Sequence, residues 1–200
     1  MPSIISLSDI ARSKFDRLKK SFSCKNKELE KHIKQYAFNH QKEGLFQTYF
    51  YIDDNDNFLG YISVAVATIE RRKIEDELDI SSSIKYSIPA IKITRLCVFD
   101  DFCSRGVGTL LMTFANILAI VQQKKIGCRA LIVDSKPEAI EFYKRFNFVE
   151  INKEENSETM FMVCDIAKPK EVKDVVDDMI EFCKIFNQDD LVKVLKDKEQ

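Results

Sequence analysis

Leu96-Cys-Val-Phe-Asp-Asp-Phe-Cys-Ser-Arg-Gly-Val-Gly-Thr109 is the stretch on which the reading of this chain turns. It links a β-rich run ending at Leu96, Cys97 and Val98 to the apolar segment TLLMTFANILAIVQQKK (residues 109–125), through a loop carrying Gly106 and Gly108. Glycine adopts backbone conformations closed to other residues and lets a ligand approach the main chain. The first N–H groups of a helix have no partner within it, and the positive end of the helix dipole lies there. A strand, a Gly-x-Gly loop and a long helix in succession therefore suit a phosphate or pyrophosphate. Taken alone, the two glycines are equally explained as a flexible helix start.

Two familiar nucleotide sites are excluded. The chain has no GxxxxGK[ST] phosphate loop, and RGVG lacks both the third glycine and the first strand-to-helix position of a dinucleotide fingerprint.

Outward from this stretch the pattern stays ordered. Upstream, Pro89 precedes the strand AIKITRLCVF, and QTYFYIDDNDNFLGYISVAVATIE reads as a hairpin around the polar turn Asp53–Asn57. Residues 71–87 form a polar excursion or short helix with no legible function. Downstream come Gly127, the strand RALIVD, the helix PEAIEFYKRF and a final strand near Thr159–Asp165. This alternation predicts an α/β sheet.

The first fifty residues read as helical, with a start at Ser8 or Asp9. Asn26 then caps KELEKHIKQYAFNHQKE, whose Leu29, Ile33, Tyr36 and Ala37 share a face, and Gly44 closes the run. After Pro169, Val172, Val175, Val176, Met179, Ile180 and Cys183 fall at helical spacing, and DDLVKVLK suggests one further short helix. We expect one domain over 1–168 and a helical extension over 169–200. The apolar stripe of that extension suits docking onto the core or onto a second subunit, as in a homodimer.

Composition bounds the function. With 200 residues and 45% hydrophobic content the chain can build one sizeable core. No apolar run is long enough to span a bilayer, and MPSIISLSDIARSKF lacks the layout of a secretion signal, so a cytoplasmic location is expected. Residues 1–50 carry 10 basic and 5 acidic side chains, whereas 150–200 carry 8 and 14. A weakly basic head and an acidic tail do not make the concentrated patch of a dedicated nucleic-acid binder. The six cysteines include no CxxC pair, so a zinc site or disulfide framework is not expected, and most read as buried thiols.

The combination of motifs resembles the GNAT superfamily of N-acetyltransferases. That family has a strand ending in Leu-x-Val, then Gln/Arg-x-x-Gly-x-Gly/Ala and a long helix. Here these stand as Leu96-Cys97-Val98 and Cys103-Ser104-Arg105-Gly106-Val107-Gly108, followed by Thr109. Downstream, RALIVDSKPEAIEFYKRFNF is similar to the family's strand, polar loop and helix bearing Phe/Leu-Tyr. At the N-terminal end, Phe22, Cys24, Leu29, Ala37, Gln41, Gly44, Thr48 and Tyr49 fill positions found in the GNAT toxins of bacterial toxin–antitoxin pairs. Cys103 stands where Gln or Arg is usual, Lys25 replaces the glycine after Cys24, and Asn147 replaces the glycine of the closing turn. Asn is the non-glycine residue best suited to a left-handed turn.

The resemblance implies a GNAT fold, with a mixed, mostly antiparallel central sheet flanked by helices. It implies acetyl-coenzyme A as co-substrate, held by Leu96, Cys97 and Val98 and by Cys103 through Thr109, with no metal. It places Tyr143 as the general acid that protonates the departing thiolate. Out of that context Tyr143 is a helix aromatic packed beside Phe142 and Phe146. No carboxylate precedes Leu96, where Thr94 and Arg95 stand, and Arg95 reads as a strand-end charge or a substrate contact. A site without a base suits an α-amine of pKa about 7.7–8.0 better than a lysine amine at about 10.4.

Cys103 reads as a tolerated loop substitution or as a reactive thiol beside Arg105. The expected activity is acetyl transfer to an amine. The toxin-like version acts on the α-amine of aminoacyl-tRNA and is checked by a small ribbon-helix-helix antitoxin. The alternative is an ordinary GNAT enzyme acting on a metabolite or protein amine.

Overall fold

Asn26 and Gly44 bound the N-terminal helical run as their chemistry predicts. The Asn26 side-chain oxygen accepts from the N–H groups of Glu28 (3.1 Å) and Leu29 (3.2 Å), and Gly44 sits at φ 73°. Between them lie α2 (Lys27–Lys31), a π-turn (His32–Tyr36) and α3 (Ala37–Lys42), preceded by α1 (Arg12–Ser21). The opening of the chain differs from expectation. Ser3–Ser6 is a strand, β1, and the helix starts at Arg12 rather than at Ser8 or Asp9. The reason is local: the Ser6 side chain caps a single 3-10 turn (Leu7–Asp9), after which Ile10 and Ala11 return to extended backbone.

The computed structural model describes residues 3–75, 77–151, 157–167 and 184. The hairpin forms from β2 (Gln47–Ile52) and β3 (Phe58–Ile69). Its turn is held by the Asp53 carboxylate, which accepts from the N–H groups of Asn55 (2.9 Å) and Asn57 (2.8 Å). There follow β4 (Ile88–Val98), α4 (Val107–Lys125), β5 (Ala130–Ser135), α5 (Ile140–Lys144), β6 (Val149–Glu150) and β7 (Met160–Asp165). The sheet order is β1-β2-β3-β4-β5-β7-β6, antiparallel throughout except for the parallel β4–β5 pair. This is the mixed, mostly antiparallel sheet expected. β6 is an addition, two residues set by the turn at Asn147, which takes the left-handed conformation (φ 62°).

Alternation along the strands divides the core. Tyr49, Ile62, Val64, Ile93, Leu131 and Val133 face α4 and α5, where Leu111, Met112 and Phe114 of α4 are fully buried. Each such side chain contributes about 1.5–3 kcal/mol by leaving water. On the opposite face Phe50, Ile52 and Tyr61 pack under α1 and the π-turn. The far end of that face is covered by the 71–87 excursion, a 3-10 turn at Arg71–Lys73 followed by turns whose Ile74 and Leu78 plug the surface beside Ile88 and Ile132. That segment is structural. The predicted helices beyond Pro169 lie outside the described residues. Among the described residues no helix is long and apolar enough to cross a membrane.

Candidate active site

The two halves of β4 have different neighbours. From Ala90 to Ile93 the strand pairs with Ala130–Val133 of β5; beyond Ile93 that pairing stops. On its other edge β4 stays joined to β3 through Arg95, Leu96, Cys97 and Val98, opposite Ser63, Ile62, Tyr61 and Gly60. Between the two lies a bulge: Ser63 opposes Arg95 while Val64 opposes Ile93, leaving Thr94 as the extra residue. The Thr94 hydroxyl donates to the Ser63 carbonyl at 3.0 Å. A bulge bends and twists its strand, and here it coincides with the point where β4 and β5 separate.

Gly60 is part of this construction, and local pattern gave no sign of it. A side chain on it would place Cβ 2.7 Å from the Cys97 carbonyl oxygen and 3.1 Å from Val107 Cγ1. Only glycine lets β3, β4 and the first turn of α4 meet there.

Past Val98 the chain makes a 3-10 turn (Asp100–Phe102) and enters α4. Ser104 (φ 62°) and Gly106 (φ 80°) are both left-handed. Gly106 is the N-cap, and no side chain caps the helix. The leading N–H groups of α4 are thus left to whatever binds in front of them, which fits a diphosphate. Cys103, Ser104, Arg105, Gly106 and Thr109 are exposed around this end, with the Arg105 guanidinium 5.5 Å from the Phe102 ring.

Other residues of the motif point into the protein. Leu96 and Val98 are half-buried against the α4 core, and Val107 is buried. A Cβ on Gly108 would lie 3.3 Å from the Phe142 ring and 3.6 Å from Val98, so this glycine brings α4 against α5. Cys97 faces the opposite side, with its sulfur 2.8 Å from that of Cys24. That contact draws the Cys24 thiol down and, with burial, pushes Cys97 far up. Cys128 and Cys164 are also buried, and burial lifts Cys164 to about 12. Cys103 is exposed.

The N-terminal segment is tied to the same loop. Asp100 accepts from the Lys25 N–H at 2.9 Å and its own N–H donates to the Ser23 carbonyl at 3.2 Å. Tyr61 donates its hydroxyl to the Leu29 carbonyl at 2.8 Å, holding α2 over β3. Asn26, Glu28 and Leu29 thereby become one wall of a cleft of about 430 Å³ between the parted strands. Thr94, Arg95 and Leu96 form its floor, and Ser135, Lys136 and Tyr143 its other side. Lys136 reaches across to Glu28 at 3.0 Å, a pair 108 residues apart that no sequence spacing reveals.

Tyr143 is 6% exposed and packed against Phe142 and Phe148, and burial pushes its phenol up to about 12. It keeps its proton at neutral pH. Three carboxylates line the cleft: Glu28, held low by Lys136; Asp134, 2.5 Å from Lys92; and Glu138, exposed at its edge. Arg95 lies 5.2 Å from the Phe46 ring.

Known proteins agree with this geometry. No curated protein sequence matches the chain. Its fold matches a structure described as a bacterial toxin with a TM-score of 0.72 at 19% identity, over 84% of this chain and 93% of that one. It also matches the toxin AtaT complexed with acetyl-methionyl-tRNAfMet (TM-score 0.67, 21% identity, 80% and 94% covered). A mutant of the toxin KacT gives 0.68 at 21% identity, covering 83% and 95%. The family model of the GNAT acetyltransferase domain matches residues 46–150, the span from β2 through the parted strands to α5 and β6. The chain therefore belongs to the GNAT family of acetyl-coenzyme A-dependent N-acetyltransferases.

Proposed function

We propose that this enzyme acetylates the α-amine of an aminoacyl-tRNA, with the reaction carried out where β4 and β5 part. The observation that carries this reading is a cleft lined by both the free edge of β4 (Thr94–Leu96) and Tyr143, on the strand whose far end leads through Val98 to the uncapped start of α4. Cys103 through Thr109 would hold the diphosphate of acetyl-coenzyme A by main-chain N–H groups, and Leu96–Val98 would hold its pantetheine arm. When bound, this co-substrate supplies an acetyl group activated as a thioester.

The residues of the chain then have defined tasks. A main-chain N–H on the free edge of β4 stabilises negative charge developing on the thioester oxygen. As the amine nitrogen bonds to the acetyl carbon, the carbon–sulfur bond breaks and the sulfur leaves with its electron pair. Tyr143 donates its proton to that sulfur and is reprotonated through solvent by the proton the nitrogen releases. A phenol near 12 facing a thiol of about 8.5 looks mismatched by about 3.5 pKa units. Desolvation in the same cleft raises the thiol too, so the gap narrows toward the roughly 1.5 units of the free groups.

Glu28 and Asp134 are held by lysines and Glu138 is exposed to solvent, so none of the three is placed as a buried base to strip a proton from an ammonium group. An amine already partly uncharged at neutral pH is the fitting acceptor, and an α-amine of pKa about 7.7–8.0 is one. The fold likeness to AtaT, whose structure contains acetyl-methionyl-tRNAfMet, supports the same class, and the likeness to AtaT bound to the antitoxin AtaR supports a protein inhibitor of that kind. We take residues 1–168 as the catalytic domain.

The test is direct. Purified enzyme, acetyl-coenzyme A and bulk aminoacyl-tRNA should yield N-acetyl-aminoacyl adenosine by mass spectrometry after nuclease digestion. Acetylation of small amines or peptides with no acetylated aminoacyl-tRNA would replace this reading with that of a metabolic or protein acetyltransferase.

A further inference from the structure

The sheet face that carries α4 extends beyond the helix. Val64, near the end of the covered region, is 8% exposed; Val66, two residues further along the same strand and face, is 84% exposed. The uncovered portion is the floor of a groove of about 480 Å³. Leu45 and Phe46, in the turn entering β2, wall one side; Leu118 of α4 and Ile126 wall the other. Leu45 is 52% and Ile126 75% exposed, so the rim presents apolar side chains beside Gln41, Gln47 and Gln122. This groove lies at the closed half of β4, away from the parted strands.

The chain itself offers an occupant. Asp165 pairs with Ala130, and the Ile166 N–H donates to the Arg129 carbonyl at 3.2 Å. The chain thus leaves its last strand beside Gly127 and Cys128, which line the groove. The segment that follows carries Val172, Val175, Val176, Met179 and Ile180 at helical spacing. Between 171 and 183 it has five acidic side chains and one basic, while α4 ends in Lys124 and Lys125, between the groove-lining Gln122 and Ile126. Lys184, just beyond, is helical and exposed. Thirteen helical residues span about 20 Å, and the preceding few residues reach about 10 Å when extended, enough to lie along the groove.

We propose that residues 171–183 form an amphipathic helix docked in this groove of their own chain, with the valines, Met179 and Ile180 on Val66, Ile91 and Ile126. The stripe covers the apolar face that α4 leaves bare, and the acidic flank meets the lysines at the end of α4. The tail is then part of the same layer as α4 rather than an appendage.

Hydrogen exchange on the full-length protein tests this. Amides of 171–183 should exchange at least about tenfold slower than unstructured rates, as expected of a docked helix. The double variant Val66→Glu/Ile126→Glu should remove that protection while amides of β5 and the first turns of α4 stay protected. Should the core also loosen in that variant, Val175→Asp/Met179→Asp leaves the groove intact and should speed exchange in 44–46 and 126–128. Unprotected 171–183 in the wild type overturns the proposal, as does protection indifferent to both variants. Protection that vanishes on dilution together with dimer mass in light scattering assigns the groove to a second copy and also overturns it.

Discussion

The two halves of β4 are built from the same kinds of residue and do opposite things. Ala90–Ile93 is held on both edges, by β3 and β5, and is a floor for packing; Thr94–Val98 is held on one edge only and opens a cleft. A bulged residue at 94, a glycine at 60 that no side chain can replace, and a helix start capped by Gly106 without a side-chain bond make the difference. Chemistry appears where the backbone stops satisfying itself. The same free edge and uncapped helix that weaken the sheet locally are what a thioester and a diphosphate need.

The comparison is broken most severely by removing the proposed proton donor from the open half. Tyr143→Phe keeps the ring against Phe142 and Phe148 and deletes one hydroxyl. We expect kcat to fall by about 10²–10⁴ with little change in stability or in acetyl-coenzyme A affinity. Steady-state kinetics beside calorimetry reads this, and near-wild-type turnover would leave Tyr143 as a packed aromatic only.

A smaller effect is expected where the open half is kept in shape. Gly60→Ala drives Cβ to 2.7 Å from the Cys97 carbonyl. Relief requires β3 or β4 to move, at about 1–3 kcal/mol. For a domain of this size the melting temperature should drop by about 2–4 °C per kcal/mol. An unchanged melting curve would mean that the strands have slack at this crossing.

The smallest effect belongs to the layer beneath the open half. His32 is buried between Tyr61 and Phe46, both ring nitrogens without a hydrogen-bond partner among the described residues, and burial brings it down to about 4. A histidine whose folded value is depressed contributes stability that is present above its unfolded pKa of about 6.5 and is lost as pH falls through the folded value. The unfolding free energy from denaturant titrations should therefore decline between pH 6.5 and 4 by about 2 kcal/mol more in wild type than in His32→Phe. Parallel pH profiles would show that His32 stays uncharged at no cost.

Much of this was legible before the fold was known, and for a definite reason. Asn26, the turn at Asp53–Asn57, Gly44, Gly106 and Asn147 act through bonds and torsions within a few residues, so their roles follow from type and position. The strand-loop-helix succession around Gly106 is local in the same sense, and it carried the resemblance that the family match bears out.

Long-range pairing decided the rest. Ser3–Ser6 is a strand because β2 has a free edge to offer it, a fact absent from its own four residues. The parting of β4 from β5 depends on a register set across three strands, and the Glu28–Lys136 contact on bringing together residues 108 apart. Gly108, read along the chain as room for a ligand, meets the Phe142 ring of a helix thirty residues further on. Sequence determined which short elements form and where they stop, because those choices are made within one turn of backbone. Tertiary structure alone decided which edge stays open, because an edge is open only when every other strand has taken its place.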